Sequence, residues 1–268
     1  MSGRKFIRVE QQGLVARVTL YRPEVHNAFD ERMIGELTQA LEEIADARAL
    51  RCLVLTGAGR SFSAGADLDW MRRMAGFDFD ANLADARELE RMLRTLDELP
   101  MPTIAMVNGP AIGGGVGLVA ACDIAVASAR AFFALSEVRL GLVPAVVSPF
   151  VLRAIGARAC RRYFLTGERF DAAEAHRLGL VHEVAPPEEL EARVAALVEE
   201  LLEGGPEAQA EAKSLLRLLP SLQGSLLAEA TAKLIAERRA SAEGREGVRA
   251  FLEKRVPAWR PAAAGGDA

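Results

Sequence analysis

Three consecutive glycines, Gly113-Gly114-Gly115, separate an apolar stretch that reads as a buried strand, Thr103 to Val107, from an apolar run that reads as a helix, Val116 to Cys122. A strand that passes through such a junction into a helix constrains the fold around it. The first N–H groups of a helix have no partner inside the helix and point at whatever lies before it. Glycine lets backbone come close to a bound group. The junction is suited to holding an anion, or an oxygen that becomes one, although read alone it is more often a tight turn packing a helix on a sheet. Familiar glycine signatures do not fit it. The dinucleotide fingerprint wants glycine where Leu118 stands, and the phosphate-binding P-loop wants Gly-Lys-Ser/Thr, whereas Gly57-Ala-Gly-Arg-Ser61 has no lysine. Gly59-Arg-Ser61-Phe-Ser63 lacks the closing glycine of a serine-hydrolase elbow.

A second segment repeats the pattern. Gly59 to Asp69 follows the apolar run Arg51 to Thr56, again reading as strand, small-residue loop and helix start. Asp67 and Asp69 stand where negative side chains favour a helix N-terminus. Two loops of this kind can each offer one backbone N–H to the same oxygen. Two such donors form an oxyanion hole, which stabilises charge developing on a carbonyl.

Ser63-Ala-Gly-Ala-Asp-Leu68, Asn108-Gly-Pro-Ala-Ile-Gly-Gly-Gly115 and Ser136-Glu-Val-Arg-Leu-Gly-Leu-Val-Pro144 occur in that order. They are followed by Phe164-Leu-Thr-Gly-Glu-Arg-Phe-Asp-Ala-Ala-Glu-Ala175, Gly179-Leu-Val-His-Glu183 and Gly247-Val-Arg-Ala-Phe-Leu-Glu-Lys-Arg255. Together, from about Arg8 to about Trp259, they resemble the enoyl-CoA hydratase/isomerase (crotonase) superfamily. The resemblance implies an α/β fold, a spiral of repeated strand-strand-helix units over residues 1–200 carrying the CoA and acyl site. A helical region over 201–268 completes a homotrimer or a hexamer made as a dimer of trimers. It implies an oxyanion hole from the N–H groups of Ala66 and Gly114, and proton transfer by Glu137. The adenine end of CoA is expected beside Ala64, Asp67, Leu68 and the segment near Val25. Lys254 from a neighbouring subunit is a candidate phosphate contact and equally a solvated lysine. CoA enters as part of the substrate, with no separate cofactor and no metal.

The chain also departs from that pattern. Where the hydratases carry a second glutamate on the helix after the glycines, this sequence has Gly117. A glycine there leaves space opposite Glu137. Ala145-Val-Val-Ser-Pro-Phe150 and Ala66-Asp-Leu-Asp-Trp-Met-Arg-Arg-Met74 resemble a subgroup of methylglutaconyl-CoA and isohexenylglutaconyl-CoA hydratases. Such a substrate carries a free carboxylate, so a cation is expected near the acyl pocket, from Arg72, Arg73 or Arg139. Trp70, Met71 and Met74 are candidates to line the acyl channel, and each is equally ordinary helix core or surface. The expected activity is hydration of a 2-enoyl-CoA, with a branched or glutaconyl-type acyl group. The alternatives are an enoyl-CoA isomerase using Glu137 alone and a noncatalytic CoA-binding subunit.

The remaining features bound the class. With 268 residues, half of them hydrophobic, one large domain or one domain with an appendage is expected. A net charge of −4 argues against nonspecific nucleic-acid binding. No apolar run is long enough to span a bilayer, and the N-terminal residues lack a signal-peptide core, so a cytoplasmic protein is expected. Cys52, Cys122 and Cys160 are scattered and read as core thiols. His26, His176 and His182 have no metal-ligand spacing. Asp123 is expected to bond backbone behind the glycine-led helix. Leu14 to Leu20 reads as a strand, Asp30 to Asp46 as an amphipathic helix with Met33, Leu37, Leu41 and Ile44 on one face, and Ala81 to Leu99 as a long charged helix. From about Glu188 the chain reads as helical, broken at Gly204-Gly205-Pro206 and Leu219-Pro220 and ending in a frayed tail.

Overall fold

The computed structural model describes residues 4–260. In chain order the elements are β1 (Ile7–Gln12), β2 (Val15–Leu20), α1 (Glu31–Asp46), β3 (Cys52–Gly57), α2 (Leu68–Met74), α3 (Phe79–Asp97), β4 (Thr103–Val107), β5 (Ala111–Ile112) and α4 (Gly114–Ala121). There follow β6 (Ile124–Ser128), β7 (Phe132–Ala134), α5 (Ser148–Thr166), β8 (Arg169–Asp171), α6 (Ala172–Leu178), β9 (Glu183–Ala185), α7 (Leu190–Glu203), α8 (Pro206–Leu218), α9 (Gly224–Ala240) and α10 (Ala242–Leu252). A six-stranded sheet runs β1-β2-β3-β4-β6-β9, and a separate three-stranded sheet runs β5-β7-β8. Only β1 is antiparallel to its neighbour in the larger sheet.

Parallel strands need crossovers, which cover both faces of the sheet, so its central strands β3 and β4 are buried throughout and mostly apolar. Side-chain alternation divides them between two layers. Leu53 and Leu55 of β3, with Ala105 and Val107 of β4, enter the core that includes Met33, Leu37, Leu41 and Ile44 of α1. Cys52, Val54, Ile104 and Met106 point the other way and pack with Leu190, Val194, Val198 and Leu202 of α7. The i, i+4 spacing of those four α7 residues is what one buried helix stripe requires. Asp30 caps α1 by accepting from Met33 N at 2.8 Å.

The helix expected from Val116 begins at Gly114, so two of the three glycines belong to its first turn. The break between core and helical appendage falls at Gly204-Gly205, after α7 has completed the sheet's second layer. The appendage is tied back by Lys213 of α8, whose Nζ donates to Met101 O at 2.9 Å and pairs with Asp123 at 2.6 Å. Asp123 Oδ2 also accepts from Thr103 N and Oγ1, fastening the end of α4 to β4. The part of the expected frayed tail from 261 onward lies outside the described residues. No helix among the described residues is long and apolar enough to cross a membrane.

Candidate active site

The two small-residue loops run side by side. Ser63 and Ala111 form a parallel bridge, with Ile112 N donating to Ser63 O at 2.9 Å and Ser63 N to Pro110 O at 3.1 Å. Equal steps along both chains bring Ala66 opposite Gly114. The approach is close at the preceding pair, since a Cβ on Gly65 would stand 2.8 Å from Ile112 O and 3.8 Å from Gly113 Cα. Phe29 braces the pair from one side. Its backbone bonds to Gly65 O and Asp67 N leave Ala66 N–H unused, and its ring lies against Gly114. Gly114 N–H, at the first position of α4, also has no acceptor among the described residues. Two neighbouring unpaired donors, one at a helix N-terminus, make the geometry an oxyanion hole uses.

Several polar residues lock these loops, and the sequence reading missed the parts played by Arg22, Asn27 and Ser63. Asn27 is fully buried and satisfied: its Oδ1 accepts from Arg22 N, and its Nδ2 donates to Ala58 O and Ser61 O. Ser63 Oγ donates to Asn27 O and accepts from Gly65 N. Arg22 donates to Asp67 Oδ2 at 2.9 Å and to Ala28 O, and lies 3.5 Å from Asp30, so one guanidinium joins the N-caps of α1 and α2. Burial works against the Asp67 carboxylate, but the N–H groups of Trp70 and Asp69 and the Arg22 charge outweigh it and hold its carboxyl below the usual range. No periodic or motif signal marks Arg22 or Asn27; their roles arise from contacts across loops.

Glu137 opens a 3-10 turn, Glu137–Leu140, and its carboxyl lies over Gly113. Oε1 is 3.1 Å from where a Cβ on Gly113 would sit, and Gly113 has φ 52°, so both closeness and conformation require glycine there. The carboxyl is thus beside the residue that precedes the free Gly114 N–H. Glu137 Oε2 is buried without a hydrogen-bond partner. Burial raises the Glu137 carboxyl above its ordinary range, against the opposing effect of its own backbone N–H. Of its apolar neighbours in the chain, Phe133 and Leu135 are buried, whereas Leu140 and Leu142 are exposed.

Two expectations are corrected. Gly117 leaves no space: a Cβ there would stand 2.5 Å from Val147 Cγ1 and 3.4 Å from Leu93 Cδ1, because α5 and α3 close over that part of α4. Arg139 does not face the acyl pocket. Two residues along a 3-10 turn rotate a side chain by about 240°, so Arg139 leaves Glu137 and lies on the Thr166–Gly167 turn, donating to Thr166 O. Arg72 pairs with Asp69, and Arg73 pairs with Glu31 at 2.6 Å, both in exposed positions.

Trp70 is buried between α2 and the core, Met74 packs against that core, and Met71 is half-buried on the same short helix. Beside Trp70, Asp85 of α3 has its carboxyl raised by burial, opposed by its bond to the Trp70 side chain. Ala64 donates its N–H to His26 O, Val25 ends a 3-10 turn beside it, and Leu68 is exposed at the start of α2. Lys254 is exposed after α10 with φ 54°.

The model of the Enoyl-CoA hydratase/isomerase family matches residues 10–262. The crystal structure of an enoyl-CoA hydratase from Shewanella pealeana superimposes with a TM-score of 0.92 at 46% identity, covering 95% of this chain and 96% of that one. AtuE of Pseudomonas aeruginosa superimposes with a TM-score of 0.91 at 39% identity, covering 96% and 100%. In sequence, the chain is 38% identical over 214 residues to enoyl-CoA hydratase ACTT6 of Alternaria alternata, which spans 78% of this chain and 68% of that protein.

Proposed function

The chain belongs to the enoyl-CoA hydratase/isomerase family, and from that premise we propose that it adds water across the double bond of a 2-enoyl-CoA thioester. One observation carries the reading: the buried Glu137 carboxyl lies over Gly113, next to the unpaired N–H groups of Gly114 and Ala66. The thioester oxygen accepts from both N–H groups, which draws electron density from the conjugated system. Glu137 takes a proton from water as the water oxygen bonds to C3. The π pair moves toward the thioester as an enolate, whose charge rests in the oxyanion hole. The same carboxyl then gives a proton to C2. A carboxyl raised by burial suits both halves of this exchange, and the unpartnered Oε2 supplies an acceptor for the water.

The acyl group favoured is a branched one. A glutaconyl-type carboxylate, suggested by the likeness of the Ala66–Met74 and Ala145–Phe150 segments, would need a cation that Arg72, Arg73 and Arg139 do not offer from their present contacts. The adenine end of CoA would lie along Val25, Ala64, Asp67 and Leu68. Asp67 would contribute through its backbone, since its carboxylate is engaged by Arg22 and the α2 N-terminus. Lys254 of a neighbouring copy would reach the phosphates.

Isomerisation is the second reading, favoured by the filled position at Gly117, because one carboxylate can shuttle a proton between two carbons. Purified protein given 2-enoyl, 3-enoyl and 3-methylglutaconyl thioesters separates these. Hydration removes the conjugated absorbance of the 2-enoyl substrate. Appearance of conjugated absorbance from the 3-enoyl substrate alone would replace hydration by isomerisation. No turnover of any thioester, or unchanged turnover in Glu137→Gln, would overturn both and favour a noncatalytic CoA-binding subunit.

A further inference from the structure

Resting on the reading that Glu137 transfers the proton, we infer that Val147 is a positioning residue: it closes the flank of α4 beside Glu137 and keeps the site to one carboxylate. Gly117 N donates to Gly113 O at 3.2 Å, so Gly113, the N-cap, and Gly117 stand one turn apart at the start of α4. Glu137 covers the first, with Oε1 3.1 Å from its Cβ position, and Val147 covers the second, with Cγ1 at 2.5 Å and Cβ at 3.1 Å. The carboxyl and the isopropyl group therefore each cover one of two residues that lie a helical turn apart. Val147 is 3% exposed and Leu93 fully buried, so the flank holds no water and offers no hydrogen-bond donor.

Glycine at 117 follows from this packing. Any side chain there must displace Val147 or Leu93, and a carboxylate would be driven into their methyl groups without a partner. Nor does any charge oppose the drying of Glu137. The α4 segment Gly114–Ala121 carries no ionisable residue, and neither do β5 and β7. Arg139 turns to Thr166 O, Arg153 of α5 pairs with Asp97, and Arg94 of α3 pairs with Glu90 on the exposed side. The carboxyl is raised by burial alone, and Val147 is the side chain that covers the neighbouring helix turn.

The test combines two readouts on the full chain. Val147→Thr keeps the shape and adds a hydroxyl, and Val147→Ala opens the flank. In protein labelled with 13C-carboxyl glutamate, both variants are expected to move the Glu137 titration midpoint downward, and to move the acidic limb of kcat/KM down with it. Gly117→Ala is expected to lower the unfolding midpoint in the native background and to do so far less in Val147→Ala. The inference fails if the Glu137 titration stays in place in both variants, or if Gly117→Ala is equally costly in both backgrounds. These NMR and unfolding readouts need no turnover. Inactivity of the unaltered protein on every thioester would therefore sink the proposed activity while leaving this packing claim to its own measurements.

Discussion

At the scale of single residues, the central feature is a carboxyl kept dry beside two free amides. Because burial raises Glu137 in the folded chain, its preference for the protonated form stabilises the fold below the unfolded-state value. That contribution is lost as pH rises through the folded value. Glu137→Gln is therefore expected to raise the unfolding temperature slightly at neutral pH, and to lose that advantage when pH falls below the ordinary carboxyl range, as scanning calorimetry across pH checks. The same substitution is expected to lower kcat by about 10²–10⁴. In the unaltered enzyme, the acidic limb of kcat/KM is expected above the range of an exposed glutamate. Glu137, Ala66 and Gly114 could be singled out from sequence because each sits inside a short contiguous motif. The filling of Gly117 could not, because Val147 and Leu93 come from distant segments and only tertiary packing brings them together.

At the scale of elements, the helix starts around the site depend on a shared cation. Arg22, with Asp30 and Asp67, forms a nearly buried cluster, with side-chain exposures of 12%, 13% and 10%. Removing the charge strands two carboxylates that cap α1 and α2. Arg22→Met is expected to cost about 3–5 kcal/mol, measured as a shift in denaturant midpoint at unchanged slope. Asp67→Ala removes the acceptor for Asp69 N and Trp70 N as well as the ion pair; it is expected to loosen α2 and to weaken CoA binding. The amphipathic α1 and the mostly apolar β3 and β4 were legible because their periods, helical and two-sided, are written in consecutive residues. The edge strand β1 was not, since its apolar/charged alternation lasts only from Ile7 to Glu10 before two glutamines, and only Ile7 of it is buried. The break inside α5 was equally hidden: Gly156 takes φ 73° there, and an isolated glycine in a helical run gives no sign of which conformation it adopts.

At the scale of the whole molecule, the sheet order and the two-layer core set the loops after β3 and β4 side by side, which is what assembles a site from residues far apart in sequence. The C-terminal helices leave Leu226, Ile235, Val248, Phe251 and Leu252 exposed. Exposed apolar side chains gathered on two helices are expected to be covered by association. The proposed trimer or hexamer is checked by light scattering on the eluting protein, with a mass three or six times the 28.8 kDa chain expected; a monomer that stays active would remove the subunit-bridging role of Lys254. The measurement that bears most directly on the central claim is a crystal structure with a bound, unreactive acyl-CoA analogue. The thioester oxygen is expected within about 2.7–3.1 Å of both Ala66 N and Gly114 N, with the Glu137 carboxyl facing the C2–C3 bond. A thioester oxygen bonded to neither amide, or an acyl group lying away from Glu137, would contradict the account.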